Sequence, residues 1–116
     1  MKLVSKTLLI SALAIGLNST AKAENDCVLP NAPIIPDGNV ASKDELESAR
    51  DAFKEFDLYI IDYRECLADK EKGLSLDSPT LEADKAKLLE LDNISVDYLT
   101  KSAEKLNASL RTFNAR

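Results

Sequence analysis

The side chains able to do chemistry in this 116-residue chain are two cysteines and twenty carboxylates; histidine is absent. Without an imidazole there is no Ser-His or Cys-His pair, no histidine general base and no histidine metal ligand, so most hydrolase and metalloenzyme mechanisms lack their central residue. Asp62 with Glu65, and Glu55 with Asp62, are carboxylate pairs spaced to share a helix face. General acid–base work needs one member of such a pair desolvated in a cleft, and on a helical hairpin these acids are expected to be solvated. Asp37-Gly38-Asn39 matches the opening of a calcium loop but lacks the further acids and closing Glu of an EF-hand. The expectation is a non-enzyme with no catalytic residue, no metal site and no cofactor.

The cysteines acquire meaning from the compartment. Lys2 and Lys6 precede an apolar run from Leu8 to Leu17, broken only by Ser11 and Gly16, and small residues follow at Ala21 and Ala23. These are the three regions of a secretory signal peptide, with cleavage expected after Ala23. The run falls short of the roughly 18 apolar residues needed to span a bilayer. Glu24-Asn25-Asp26 replaces the small-residue box that would precede a lipidated Cys27, so no membrane association is expected after cleavage. The chain from residue 24 keeps 12 basic and 20 acidic side chains, a net of −8. Such a charge repels nucleic acid and anionic lipid. In a periplasmic or secreted protein, Cys27 and Cys66 most economically form one disulfide, with two free thiols or an intermolecular link as the alternatives. There is no Cys-x-x-Cys redox motif.

The elements that would position these cysteines are few. Residues 24–41 hold Pro30, Pro33 and Pro36, a three-residue period that matches polyproline II, with Leu29, Ile34 and Ile35 expected to meet a neighbouring surface. Asp37-Gly38 supplies a turn. Ser42 and Glu45 form a capping box, the Ser hydroxyl and Glu carboxylate each taking a free backbone amide. Leu46, Ala49, Phe53, Phe56, Ile60, Tyr63 and Leu67 then alternate steps of three and four, an unbroken heptad seam. Lys70, Lys72 and Gly73, the last suited to a left-handed cap, end that helix near residue 72.

Ser78-Pro79 is expected to open a second helix running to about residue 113. Its seam is Val96, Leu99, Ala103, Leu106, Leu110 and Phe113. Leu81, Leu88 and Leu91 connect to Leu99 only through Ser95, in consecutive steps of four, which is a four-residue stutter in one long helix; the alternative is a break at Asp92-Asn93. Asn107 beside Leu106 is either a buried amide fixing register or a surface residue. The fold expected over residues 42–116 is an all-α antiparallel, coiled-coil-like hairpin. The 24 residues from Ser42 to Cys66 make roughly 36 Å of helix, and the 15 steps from Cys27 to Ser42 reach at most roughly 46 Å. A Cys27–Cys66 bridge therefore requires the proline segment to run back, nearly extended, along the first helix.

The sequence resembles a group of small exported proteobacterial proteins of unknown function. The shared features are Cys27, Pro30, Pro33, Pro36, Asp37 and Gly38, then Tyr63, Cys66 and Leu67, then Ala103, Asn107, Arg111 and Phe113. The resemblance implies an exported, disulfide-tethered helical protein and carries no ligand or catalytic residue with it.

Apolar residues outside the seams give the best functional clue. Leu58, Ile61, Leu91, Ile94 and Tyr98 exceed what one contact stripe needs, as do Leu81 and Leu88. A two-helix hairpin has little interior, so such surplus usually meets something else. The expected role is protein interaction or self-assembly, with an unknown protein or a second copy as partner. The alternative is a chaperone-like module holding a client or small ligand between the helices and the proline segment.

Overall fold

The computed structural model describes residues 26–116; the expected signal peptide over residues 1–23 and its cleavage point lie outside them. The described residues form an extended segment, a turn over residues 38–40 and two long helices, α1 (Lys43–Lys72) and α2 (Leu81–Asn114). The fold is all-α, a helical hairpin with a disulfide-tied N-terminal segment.

α1 begins where the sequence places it. The Ser42 hydroxyl oxygen accepts the Glu45 N–H at 3.1 Å, filling one of the donors left free at a helix start. The return half of the capping box differs from expectation, since the Glu45 carboxylate takes the Ser42 hydroxyl at 3.2 Å rather than the Ser42 amide. At the other end Gly73 is right-handed, with φ −84° and ψ −2°, so the expected left-handed cap is absent. The chain tightens instead: the Gly73 N–H reaches the Asp69 and Lys70 carbonyls, and the Leu74 N–H reaches Glu71. These short-range bonds satisfy the last carbonyls without a positive φ.

α2 starts three residues later than Ser78. The Ser78 hydroxyl oxygen accepts the Thr80 N–H at 3.2 Å, and the Leu81 N–H bonds the Ser78 carbonyl at 3.2 Å, so Pro79 sits in a turn before the helix. From Leu81 the helix runs unbroken through Asp92-Asn93. Ser95, through which the expected stutter passes, is buried, with Leu91 and Leu99 half-buried on either side of it. The inward line is Leu88, Asp92, Ser95, Leu99, Ser102, Leu106, Ser109 and Phe113, alternating steps of four and three throughout, while Val96 and Asn107 are exposed. Counting only apolar side chains beyond Ser95 passes over Ser102 and Ser109 and carries the seam through Val96, which is exposed.

Arg64 meets Asp92 and Phe56 meets Tyr98, so moving toward the start of α1 moves toward the end of α2: the helices are antiparallel. The expected α1 seam forms the core. Leu46, Ala49, Phe56, Ile60, Tyr63 and Leu67 are buried and Phe53 is half-buried.

The extended segment is the third layer. Cys27 and Cys66 are disulfide-bonded with Cα atoms 5.7 Å apart. From there the segment runs in the direction of α2: the Ala32 N–H donates to the Tyr98 hydroxyl at 3.0 Å and the Ser109 hydroxyl donates to the Pro36 carbonyl. Beyond it, the Arg116 guanidinium donates to the carbonyls of Gly38 and Ala41 at 3.3 and 2.6 Å. Its exposure follows the three-residue period of an extended proline helix. Pro30, Pro33 and Pro36 face inward with the residues before them, whereas Val28, Asn31, Ile34 and Asp37 face out. Ile34, expected at a neighbouring surface, is 93% exposed. Gly38 is buried against α2, where a Cβ would stand 2.0 Å from the Ser109 carbonyl oxygen.

Candidate interaction surface

The segment fills only part of one side of the helix pair. Past Cys66, toward the connection, two grooves remain open between α1 and α2. One continues the line of the segment and holds about 840 Å³ among Cys66, Lys70, Leu74, Leu88 and Leu91. The other lies on the opposite side and holds about 690 Å³, with Ile61, Leu67, Ala68, Ala86, Leu88 and Leu89 as its apolar lining and Glu65, Glu71, Glu82 and Lys85 at its margins.

Helix periodicity explains the two sides. Ile61, Arg64 and Ala68 recur at steps of three and four along one flank of α1, while Asp62, Cys66, Asp69 and Lys70 occupy the other. The grooves persist because the inward line of α2 is thin here: between Leu81 and Leu91, Leu88 is the sole residue turned in toward both of them.

Arg64 and Asp92 bridge the helices within the second groove. The guanidinium Nε donates to Asp92 Oδ1 at 2.7 Å and an Nη to Oδ2 at 3.2 Å, a two-pronged pair. The hydrogen bonds from Arg64 hold the Asp92 carboxyl below its ordinary range and outweigh its partial burial, and they raise the Arg64 pKa in return. Burial, helped by the Asp92 charge, pushes the neighbouring Tyr63 phenol up. On the outer surface the Tyr59 hydroxyl donates to Glu55 at 2.8 Å, and that hydrogen bond raises the Tyr59 pKa. Asp62, Glu65 and Glu55 are all exposed. Among the described residues no group of three or more Cys, Asp or Glu converges as a metal cluster, and no helix is long and apolar enough to cross a membrane.

The five residues singled out as surplus separate into two sets. Leu58, Ile61 and Ile94 are exposed at 61%, 45% and 46%. Leu91 and Tyr98 are half-buried on the segment side: Leu91 lines the groove below Cys66, and Tyr98 packs edge-on against Phe56 with ring centroids 5.5 Å apart while its hydroxyl holds Ala32. Tyr98 thus belongs to the intramolecular contact. Leu89, 61% exposed, and Val96 share one face of α2 at a spacing of seven, although the sequence reading gave no role to the first and a core position to the second. Continuing the inward line from Ser95 to Ser102 is the signal that would have turned both outward.

Charge is unevenly divided. Residues 57–97 carry eleven acidic and five basic side chains, a net of −6, and both large grooves lie within their reach. Residues 37–56 and 98–116 together carry seven of each sign, a net of zero. Compared with protein-family models, curated proteins and solved structures, the chain matches none.

Proposed function

We propose that this chain is an exported, non-enzymatic interaction module that engages another protein through the hairpin-end half of its helix pair. One coincidence carries the reading: the stretch from Asp57 to Asp97 holds six of the eight net negative charges counted from residue 24, both large grooves and the exposed Leu58, Ile61, Leu89 and Ile94. Acidic surface keeps a protein dispersed, and apolar side chains set into such a surface contribute once a partner covers them. The disulfide supports export, since such bonds persist in oxidising compartments. The segment covers part of one groove and leaves the rest accessible, so the tether holds the helix pair together without closing its acidic end.

A photoreactive side chain placed at position 61 or 89 in the producing cell tests this. Discrete adducts from both positions, and none from the exposed Glu104 in the neutral half, are expected. Equal adducts from all three sites, or none from 61 and 89, would reject the assignment of this surface.

A further inference from the structure

We infer that the groove opposite the proline segment receives a cationic amphipathic helix from a partner protein, a deduction that rests on the interaction role proposed above. Three features of the groove identify this occupant.

The first is its charge. Arg64 is neutralised by the two-pronged contact with Asp92. What remains at the margins is Glu65, Glu71 and Glu82 against Lys85, three acids to one base. A second copy of the chain would bring another half of net −6 against this one, like charge on like. A partner with Lys or Arg flanking an apolar stripe meets acids at the edge and Ile61 and Leu89 at the centre.

The second is the absence of hydrogen-bonding handles. The proline segment occupies its own side through the hydroxyls of Tyr98 and Ser109, which satisfy the backbone groups of Ala32 and Pro36. The opposite groove is lined by aliphatic and charged side chains, with no hydroxyl or amide side chain among them. An extended occupant would leave backbone N–H and C=O groups without partners at the apolar floor, which costs roughly 1–3 kcal/mol for each. A helix enters with its backbone already paired.

The third is shape. Ala68 on α1 and Ala86 on α2 line the groove between the larger side chains, leaving room for a third helix near ordinary interhelical distance. The result is a three-helix arrangement at the end of the molecule where the hairpin is thinnest.

The test uses the chain from residue 24 onward, with its disulfide formed, and three synthetic peptides of about 18 residues, long enough to form a helix on docking. One has a Leu stripe flanked by Lys, one the same stripe flanked by Glu, and one the Lys/Leu composition scrambled to remove the stripe. Saturable 1:1 binding of the first alone is expected by calorimetry, weakening about tenfold or more between roughly 50 and 500 mM salt as rim charges are screened. Leu89→Asp is the deciding variant. It adds an acid, so attraction by charge alone predicts tighter binding, whereas docking in the groove predicts a loss of tenfold or more. Ile34→Asp, on the exposed edge of the proline segment, serves as the distant control and leaves binding unchanged.

Equal binding of the scrambled peptide, tighter binding by Leu89→Asp, or a stable dimer in sedimentation that buries position 89 would overturn the inference. Adducts at position 89 in the cell combined with no binding of the Lys/Leu helix would overturn the cationic helix alone and leave the interaction role standing. Absence of both would remove the two together.

Discussion

At the scale of single residues, Gly38 rests tightly against the backbone of α2. Any side chain there would put a Cβ 2.0 Å from the Ser109 carbonyl oxygen, and neither backbone can yield without lifting the turn from the helix. Gly38→Ala is expected to destabilise by about 1–3 kcal/mol, lowering the melting temperature by roughly 10 °C. An unchanged melting curve would refute that contact. The Arg64–Asp92 pair makes a smaller prediction. Its side chains are 49% and 27% exposed, so solvent screening limits its contribution to below about 1 kcal/mol. The Asp92 carboxyl is held below its ordinary range by Arg64, so the unfolded chain binds the proton more readily. Stability from this group is complete above the unfolded value, near 4, and disappears as pH falls through the lower folded value. The stability deficit of Asp92→Asn at pH 7 should therefore shrink steadily as pH falls below about 4 in denaturant titrations followed by circular dichroism. The disulfide partners can be read from residue type and compartment. The close approach at Gly38 cannot, because nothing local to an Asp-Gly turn says which backbone it will rest on.

At the scale of elements, α1 is almost wholly legible and α2 only in part, for one physical reason. The α1 seam is made of large apolar side chains whose periodicity declares itself. One line of the α2 seam is instead serine at intervals of seven, Ser95, Ser102 and Ser109, all buried. Hydropathy assigns such residues to the surface. Their small size suits a helix that must admit an extended neighbour. The hydroxyls are not equivalent. Ser109 donates to the Pro36 carbonyl, Ser95 to the Asp92 carbonyl at 2.7 Å, and Ser102 has no partner. Ser109→Ala is accordingly expected to cost about 1 kcal/mol, while Ser102→Ala removes an unsatisfied buried oxygen and should raise stability by about as much. Opposite signs in chemical denaturation would establish that the segment, and not the serine stripe as such, sets the value of each position. Equal signs would sink this account of α2.

At the scale of the whole molecule, two helices alone bury little, and the proline segment completes the packing over their neutral half. The acidic block is contiguous in sequence and its charge can be counted there. Its coincidence with open grooves depends on how far the segment reaches, which the disulfide determines. Cys27 and Cys66 close a loop across a sequence separation of 39. In the chain-entropy account a loop of that size stabilises the fold by about 4 kcal/mol, which for a domain near 90 residues is roughly 15 to 30 °C in melting temperature. The non-covalent tether is the Tyr98 and Ser109 hydrogen bonds together with Arg116 on the turn, each worth about 1 kcal/mol in net terms. The covalent link therefore outweighs any one of them and is comparable to their sum. Replacing both cysteines with serine should lower the melting temperature by that interval. It should also free the Ala32 amide to exchange faster than the amides of the α1 core, because the segment can then open without unfolding the helices. A double variant that melts within a few degrees of the native chain, with Ala32 still protected, would mean that the non-covalent contacts hold the segment without the disulfide. The boundary between covered and open groove would then be set by Tyr98 and Ser109 rather than by the disulfide.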